Sequence, residues 1–112
     1  MKLNNKKFIT TENKNGLSSN ETVFQYFQEG TTITGTYKGG AIKEGFVVGK
    51  QISENQIELL FQCVTDDGEL KSGASKGSIS KNADGKLLLN FDWQWLNGDL
   101  SGGTSSYIEF ID

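Results

Sequence analysis

Histidine, arginine and proline are absent from this 112-residue chain, and cysteine occurs once. Each absence removes a class of chemistry. Without histidine, the commonest general base and the commonest metal ligand are missing. All 11 basic residues are lysines, so no guanidinium can grip a phosphate or a guanine edge through two parallel hydrogen bonds. The lysines are scattered apart from Lys6-Lys7, and the net charge is −3. Nucleic acid and an anionic membrane surface are therefore not expected as partners. Cys63 alone can form neither an intramolecular disulfide nor a thiolate metal cluster. No run approaches the ~20 apolar residues of a membrane span. The opening MKLNNKKF has no apolar core of the signal-peptide kind. The expectation is a soluble, cytoplasmic chain, one domain over residues 1–112, with no cofactor and no metal.

What is present is glycine, 14 of it, and a strong period of two. The densest apolar stretch is Lys86 to Phe110. Leu87, Leu89, Phe91, Trp93 and Trp95 alternate with polar positions, as in a strand with one buried face. After Asn97-Gly98-Asp99, Thr104, Ser106, Ile108 and Phe110 alternate in the same way, which places Ile108 and Phe110 on the buried face. Six further strands precede this hairpin: 6–13, 22–28, 31–38, 41–52, 56–65 and 69–81. Turn chemistry separates them, as at Asn13-Lys14-Asn15-Gly16, Gly39-Gly40 and Asp66-Asp67-Gly68. The sixth has few large side chains, and its glycines suit a bulged or bent strand. Eight short strands with short links and no helical period predict an all-β fold, an eight-stranded antiparallel up-and-down barrel. Such a barrel either fills its interior with side chains or holds one small ligand.

The expected interior face contains Phe24, Tyr26, Ile33, Tyr37, Ile42, Glu44, Phe46, Leu59, Phe61, Cys63, Leu89 and Phe91, with both tryptophans. Most of these are core. Tyr26, Tyr37, Glu44, Trp93 and Trp95 are the ones able to add polar groups to apolar walls, as a ligand pocket requires. Tyr37 is either a half-buried ring at a barrel mouth or a ligand contact. Trp93 and Trp95 either plug one end or form a stacking wall. Glu44 is in phase with Ile42 and Phe46, which makes it a buried carboxylate with a raised pKa if the register holds. A bulge at Gly45 would turn it to solvent instead. Cys63 has no histidine to activate it and reads as an inert core residue. On the opposite face, Val23, Phe27, Val47, Leu60, Val64 and Leu88 could form a patch for homo-oligomer contacts.

Two resemblances follow from these residues. Ile33-Thr34-Gly35-Thr36-Tyr37 with Gly49, and Gln94-Trp95-Leu96 with Gly103-Thr104-Ser105, resemble segments of the avidin and streptavidin barrels, which are of calycin type like the lipocalins. In that family the matching tyrosine and tryptophan touch biotin, so the resemblance implies ligand contacts at Tyr37 and Trp95. The first strand departs from the family: Phe8 stands near its expected tryptophan, and no asparagine follows at its spacing. Gly39 stands where the family has a ligand-binding serine. Over nearly the whole chain, Gly35-Thr36-Tyr37, Gly39-Gly40, Gly68-Glu69-Leu70, Trp93-Gln94-Trp95 and Gly103-Thr104-Ser105 also resemble a family of small bacterial proteins of unknown function. Many of these are labelled "N-acetylglutamate synthase" in genomes. The pyrophosphate-binding loop and following helix of known acetyl-CoA sites have no counterpart in this sequence. The expected function is non-enzymatic binding of a small, partly apolar ligand. The alternative is a structural, homo-oligomeric protein, with an enzyme third.

Overall fold

Alternation of apolar and polar residues, interrupted by turn residues, folds this chain into strands throughout. A computed structural model describes residues 2–14 and 16–110. The strands are β1 (Lys6–Asn13), β2 (Val23–Glu29), β3 (Thr32–Gly39), β4 (Ile42–Ser53), β5 (Gln56–Thr65), β6 (Leu70–Lys81), β7 (Leu87–Trp95) and β8 (Gly102–Glu109). Each pairs antiparallel with its sequence neighbours, and β8 pairs back to β1 to close the barrel. The expected eight-stranded up-and-down barrel is the observed fold.

Register, which alternation alone does not fix, separates inside from outside. On β4 the partner sequence skips from Ile42 to Glu44, leaving Lys43 as an extra residue against β5. This shift reverses the phase. Ile42, Gly45 and Val47 are buried, whereas Glu44, Phe46 and Val48 face solvent. Glu44 and Phe46 are thus not interior residues, and Val47 does not belong to the outer patch. The physical reason is plain: the unshifted phase would bury a carboxylate and a second large ring where Tyr37 already sits opposite Gly45.

The closing strand is likewise turned over from its expected phase. Phe8 is fully buried, and its partner on β8 is Glu109, so Glu109 shares its face. Ile9 pairs with Ile108 on the outside. Ser105, Tyr107 and Glu109 therefore point inward, and Ile108 and Phe110 are only partly buried. Strand β6 is paired without a register shift on either side, in place of the expected bulge. Its glycines serve packing: a side chain at Gly73 would meet the Phe61 ring, and one at Gly77 the Phe91 ring.

One end of the barrel is sealed by the first residues. Leu3 is fully buried there. Its N–H donates to Gln28 Oε1 at 3.1 Å, and Asn4 Oδ1 accepts the Gln28 N–H at 3.0 Å. Gln28 Nε2 reaches Gln51 Oε1 at 2.6 Å. Nearby, Glu109 accepts the Leu87 N–H at 3.0 Å and the Lys6 ammonium at 3.1 Å. The opposite end, with residues 16–22 and the β7–β8 turn, is the one that holds a cavity.

Candidate functional site

Inward-facing rings from five strands meet at the cavity end of the barrel. Phe24 stacks on Tyr37 with centroids 4.8 Å apart and planes 11° from parallel. Tyr26 also stacks on Phe24, at 6.2 Å, and Tyr107 meets Phe24 edge-on at 5.0 Å and in turn meets Phe91 at 5.6 Å. Across the barrel, Trp93 and Trp95 lie edge to face at 5.0 Å, and Phe61 meets Trp95 at 5.8 Å. The Lys71 ammonium sits 4.7 Å from the Trp95 ring centre. Between the two groups of rings is a cavity of about 60 Å³, lined by Tyr26, Tyr37, Trp93, Trp95 and Tyr107 together with Asn13, Ser18, Cys63, Ser75 and Ser105.

Tyr37 can lie flat against β4 because its partner there is Gly45. A Cβ at Gly45 would stand 2.6 to 2.7 Å from three atoms of the Tyr37 ring. The Tyr37 hydroxyl interacts with the Cys63 thiol, which raises the phenol further and offsets part of the rise in the thiol. Burial pushes the Tyr37 and Tyr26 phenols well above the ordinary tyrosine range, and it raises the Tyr107 phenol and the Cys63 thiol as well. All four groups are therefore neutral at physiological pH. Among the described residues, no cluster of Cys, Asp or Glu could hold a metal ion.

One wall is polar. Asn13 Nδ2 donates to Ser18 Oγ at 2.8 Å and to the Ser18 carbonyl at 3.1 Å. The hydroxyls of Ser18 and Ser105 interact with that of Tyr107 and offset part of the rise that burial gives its pKa. Asn13 Oδ1, in contrast, is buried with no partner. Asn13 reaches the cavity because β1 carries an extra residue, Thr11, between the partners of Tyr107 and Ser106. Without that shift, the alternation from Phe8 and Thr10 would turn Asn13 outward. Gly16 leaves room for the amide, since a Cβ there would come within 2.5 Å of Asn13 Nδ2.

A family model described as an avidin-like protein matches residues 1–110. The chain belongs to the avidin-like family. Neither a curated protein nor a solved structure matches it. Of the five residues singled out in the sequence, this avidin-like barrel brings Tyr26, Tyr37, Trp93 and Trp95 together around the cavity and leaves Glu44 outside it. Asn13, Ser18 and Tyr107 were missed. Tyr107 was hidden by the reversed phase of β8. For Asn13 the available signal was the glycine three residues on, which frees space beside its side chain. At Gly39, where the family has a serine, φ is +114° and the carbonyl accepts the Thr22 hydroxyl at 3.0 Å. A side chain at Gly39 would run into the Glu21 carbonyl, so this position shapes the turn.

Proposed function

We propose that this protein is a non-enzymatic binder that holds a small, uncharged group in the cavity by shape and hydrogen bonding. The observation that carries this is Asn13 Oδ1, a buried acceptor without a partner on a residue that lines the cavity. Leaving such a group unmet costs about 1–3 kcal/mol, so the natural occupant presents an N–H or O–H donor to it. The aromatic walls favour a flat or apolar body. Neutral phenols and a neutral thiol supply no general base near neutral pH, which supports binding over catalysis.

Size narrows the occupant. A cavity of about 60 Å³ exceeds the ~10–15 Å³ a single water requires but is well below the ~150 Å³ of a cavity that takes benzene. A primary amide or a group of similar bulk fits. Biotin, larger than benzene, does not fit unless the walls move. Mass spectrometry under non-denaturing conditions tests the reading, paired with nuclear magnetic resonance titrations using acetamide, propionamide and biotin. A retained small molecule, or amide-induced shifts at Trp93, Trp95 and Tyr37, is expected for the native chain and is lost in Asn13→Leu. A bare mass together with unmoved cavity resonances for all three probes would overturn it.

A further inference from the structure

Lys2, Lys6 and Lys81 are scattered in the sequence, and closure of the barrel gathers them around one open recess. It lies at the end sealed by Leu3, has a volume of about 530 Å³, and has the buried Ile79 and Leu87 in its floor. Strand phase explains two of the three. Lys6 pairs with the inward-facing Tyr26, and Lys81 with the inward-facing Leu87. Both therefore take the inward phase at a strand end, where the wall stops and a long side chain reaches water.

Two of the ammoniums are tied to the floor through one intermediary each. Lys6 Nζ donates to Glu109 Oε2 at 3.1 Å, and Glu109 Oε1 accepts the Leu87 N–H at 3.0 Å. Lys2 Nζ donates to Asn55 Oδ1 at 3.0 Å, and the Asn55 carbonyl accepts the Ile79 N–H at 2.8 Å. Lys81, two residues beyond Ile79, forms no ion pair among the described residues. An ammonium has three donors, so each of these lysines keeps donors for an incoming acceptor. The lining sets three ammoniums against two carboxylates, Glu54 and Glu109, an excess of one positive charge in a chain whose net charge is −3. A monoanion neutralises that excess. A dianion such as phosphate would leave the recess negative and be repelled by the fixed Glu109. We propose that this recess is a second binding site, for a monocarboxylate with a small apolar body. The carboxylate sits among Lys2, Lys6 and Lys81, and the body rests on Ile79, Leu87 and the lysine stems.

Amide chemical-shift titration of the full chain with benzoate, benzyl alcohol and inorganic phosphate tests this. Benzyl alcohol keeps the ring without the charge, and phosphate keeps the charge without the ring. Benzoate is expected to saturate with a Kd on the order of 1–10 mM, moving the amides of Ile79, Lys81 and Leu87 and leaving Trp93 and Trp95 in place. Lys81→Gln should weaken it about fivefold, and K2Q/K81Q further. Higher salt should weaken it too, since the ammoniums are partly exposed. Benzyl alcohol and phosphate should each bind at least about tenfold more weakly. Thermal melts confirm that the variants fold. No saturable shift with benzoate at about 50 mM, benzyl alcohol or phosphate as tight as benzoate, or an affinity unchanged in folded K2Q/K81Q would each overturn the proposal. None of these outcomes bears on what the cavity between the aromatic rings binds.

Discussion

Gly45→Ala tests the shape of the cavity without any ligand. The new Cβ would lie 2.6 to 2.7 Å from Cζ, Cε1 and Cε2 of Tyr37, against an ordinary carbon contact of about 3.5–4.0 Å. The ring must retreat by about 1 Å. Behind it is Phe24, already stacked at 4.8 Å, so the remaining direction is into the cavity. Overpacking of this kind costs about 1–3 kcal/mol. The lost glycine entropy of the unfolded chain offsets about 0.4–1 kcal/mol of that. The net cost is about 1–2 kcal/mol, a fall in Tm of roughly 4–8 °C per kcal/mol for a domain of this size. Scanning calorimetry reads the sign as well as the size. If the ring moved aside freely, only the entropy effect would remain and Tm would rise. A rise in Tm therefore refutes the packing argument. The double-mutant cycle with Tyr37→Ala sharpens it: once the ring is gone, Gly45→Ala should be neutral or stabilising, with a coupling energy of about 1 kcal/mol or more.

Three further outcomes follow from the same packing. Glu109→Gln should lower Tm most near neutral pH. The Leu87 N–H, the leading cause, and the Lys6 ammonium hold the Glu109 pKa below its ordinary value despite the opposing effect of burial. Its contribution is present above the unfolded pKa of about 4.3 and fades as pH falls through the lower folded value, so the two melting curves should converge toward acid. In an ultraviolet alkaline titration, none of the three tyrosines should ionise near the ordinary tyrosine pKa of about 10; phenolate absorbance should rise together with unfolding, because the folded pKa of each is raised. An isolated transition at the ordinary tyrosine pKa would contradict their burial. Leu3→Ala should cost about 2–5 kcal/mol in chemical denaturation, since it empties the fully buried plug of the sealed end.

The barrel itself was legible because eight period-two segments and their turns are local signals. β1, for example, was read with the bounds it has, Lys6–Asn13. What was not legible depends on single inserted residues. Lys43 and Thr11 each add one position to a strand, and each reverses every side chain beyond it. Gly45 hints at the shift on β4, and of the two faces the sequence leaves open for Glu44 the solvent-facing one is observed, whereas Phe46 is expected inside and lies outside. No comparable signal marks Thr11, so the inward turn of Asn13 is not expected from alternation. The glycine-rich β6 suggested a bulge that is absent, because Gly73 and Gly77 answer to rings on neighbouring strands, Phe61 and Phe91. That demand arises only after the strands have paired. Tyr37, Trp93 and Trp95 were found because large aromatics in phase on one face point to the interior in any of the available registers except a slipped one.

The neutrality of the cavity determines how it can discriminate. With three raised phenols and a raised thiol, nothing on its walls ionises between mildly acid and mildly alkaline pH. A neutral occupant should then bind with the same affinity across that range, and an ionised one should be rejected at any pH within it, since no wall group can compensate its lost hydration. On the proposed reading, selection among neutral occupants falls to Asn13 Oδ1. A ligand that donates to it satisfies the wall; one of the same shape without the donor leaves it orphaned, at about 1–3 kcal/mol, or roughly 5- to 150-fold in affinity. Acetamide and N,N-dimethylacetamide differ in that donor and in two methyl groups, and N-methylacetamide separates the two changes because it keeps one N–H. Binding should fall with loss of the last N–H in the native chain. In Asn13→Leu the three amides should become nearly equal. Affinity that instead falls evenly with each added methyl, in both proteins, would mean that size and not the orphan acceptor sets the preference.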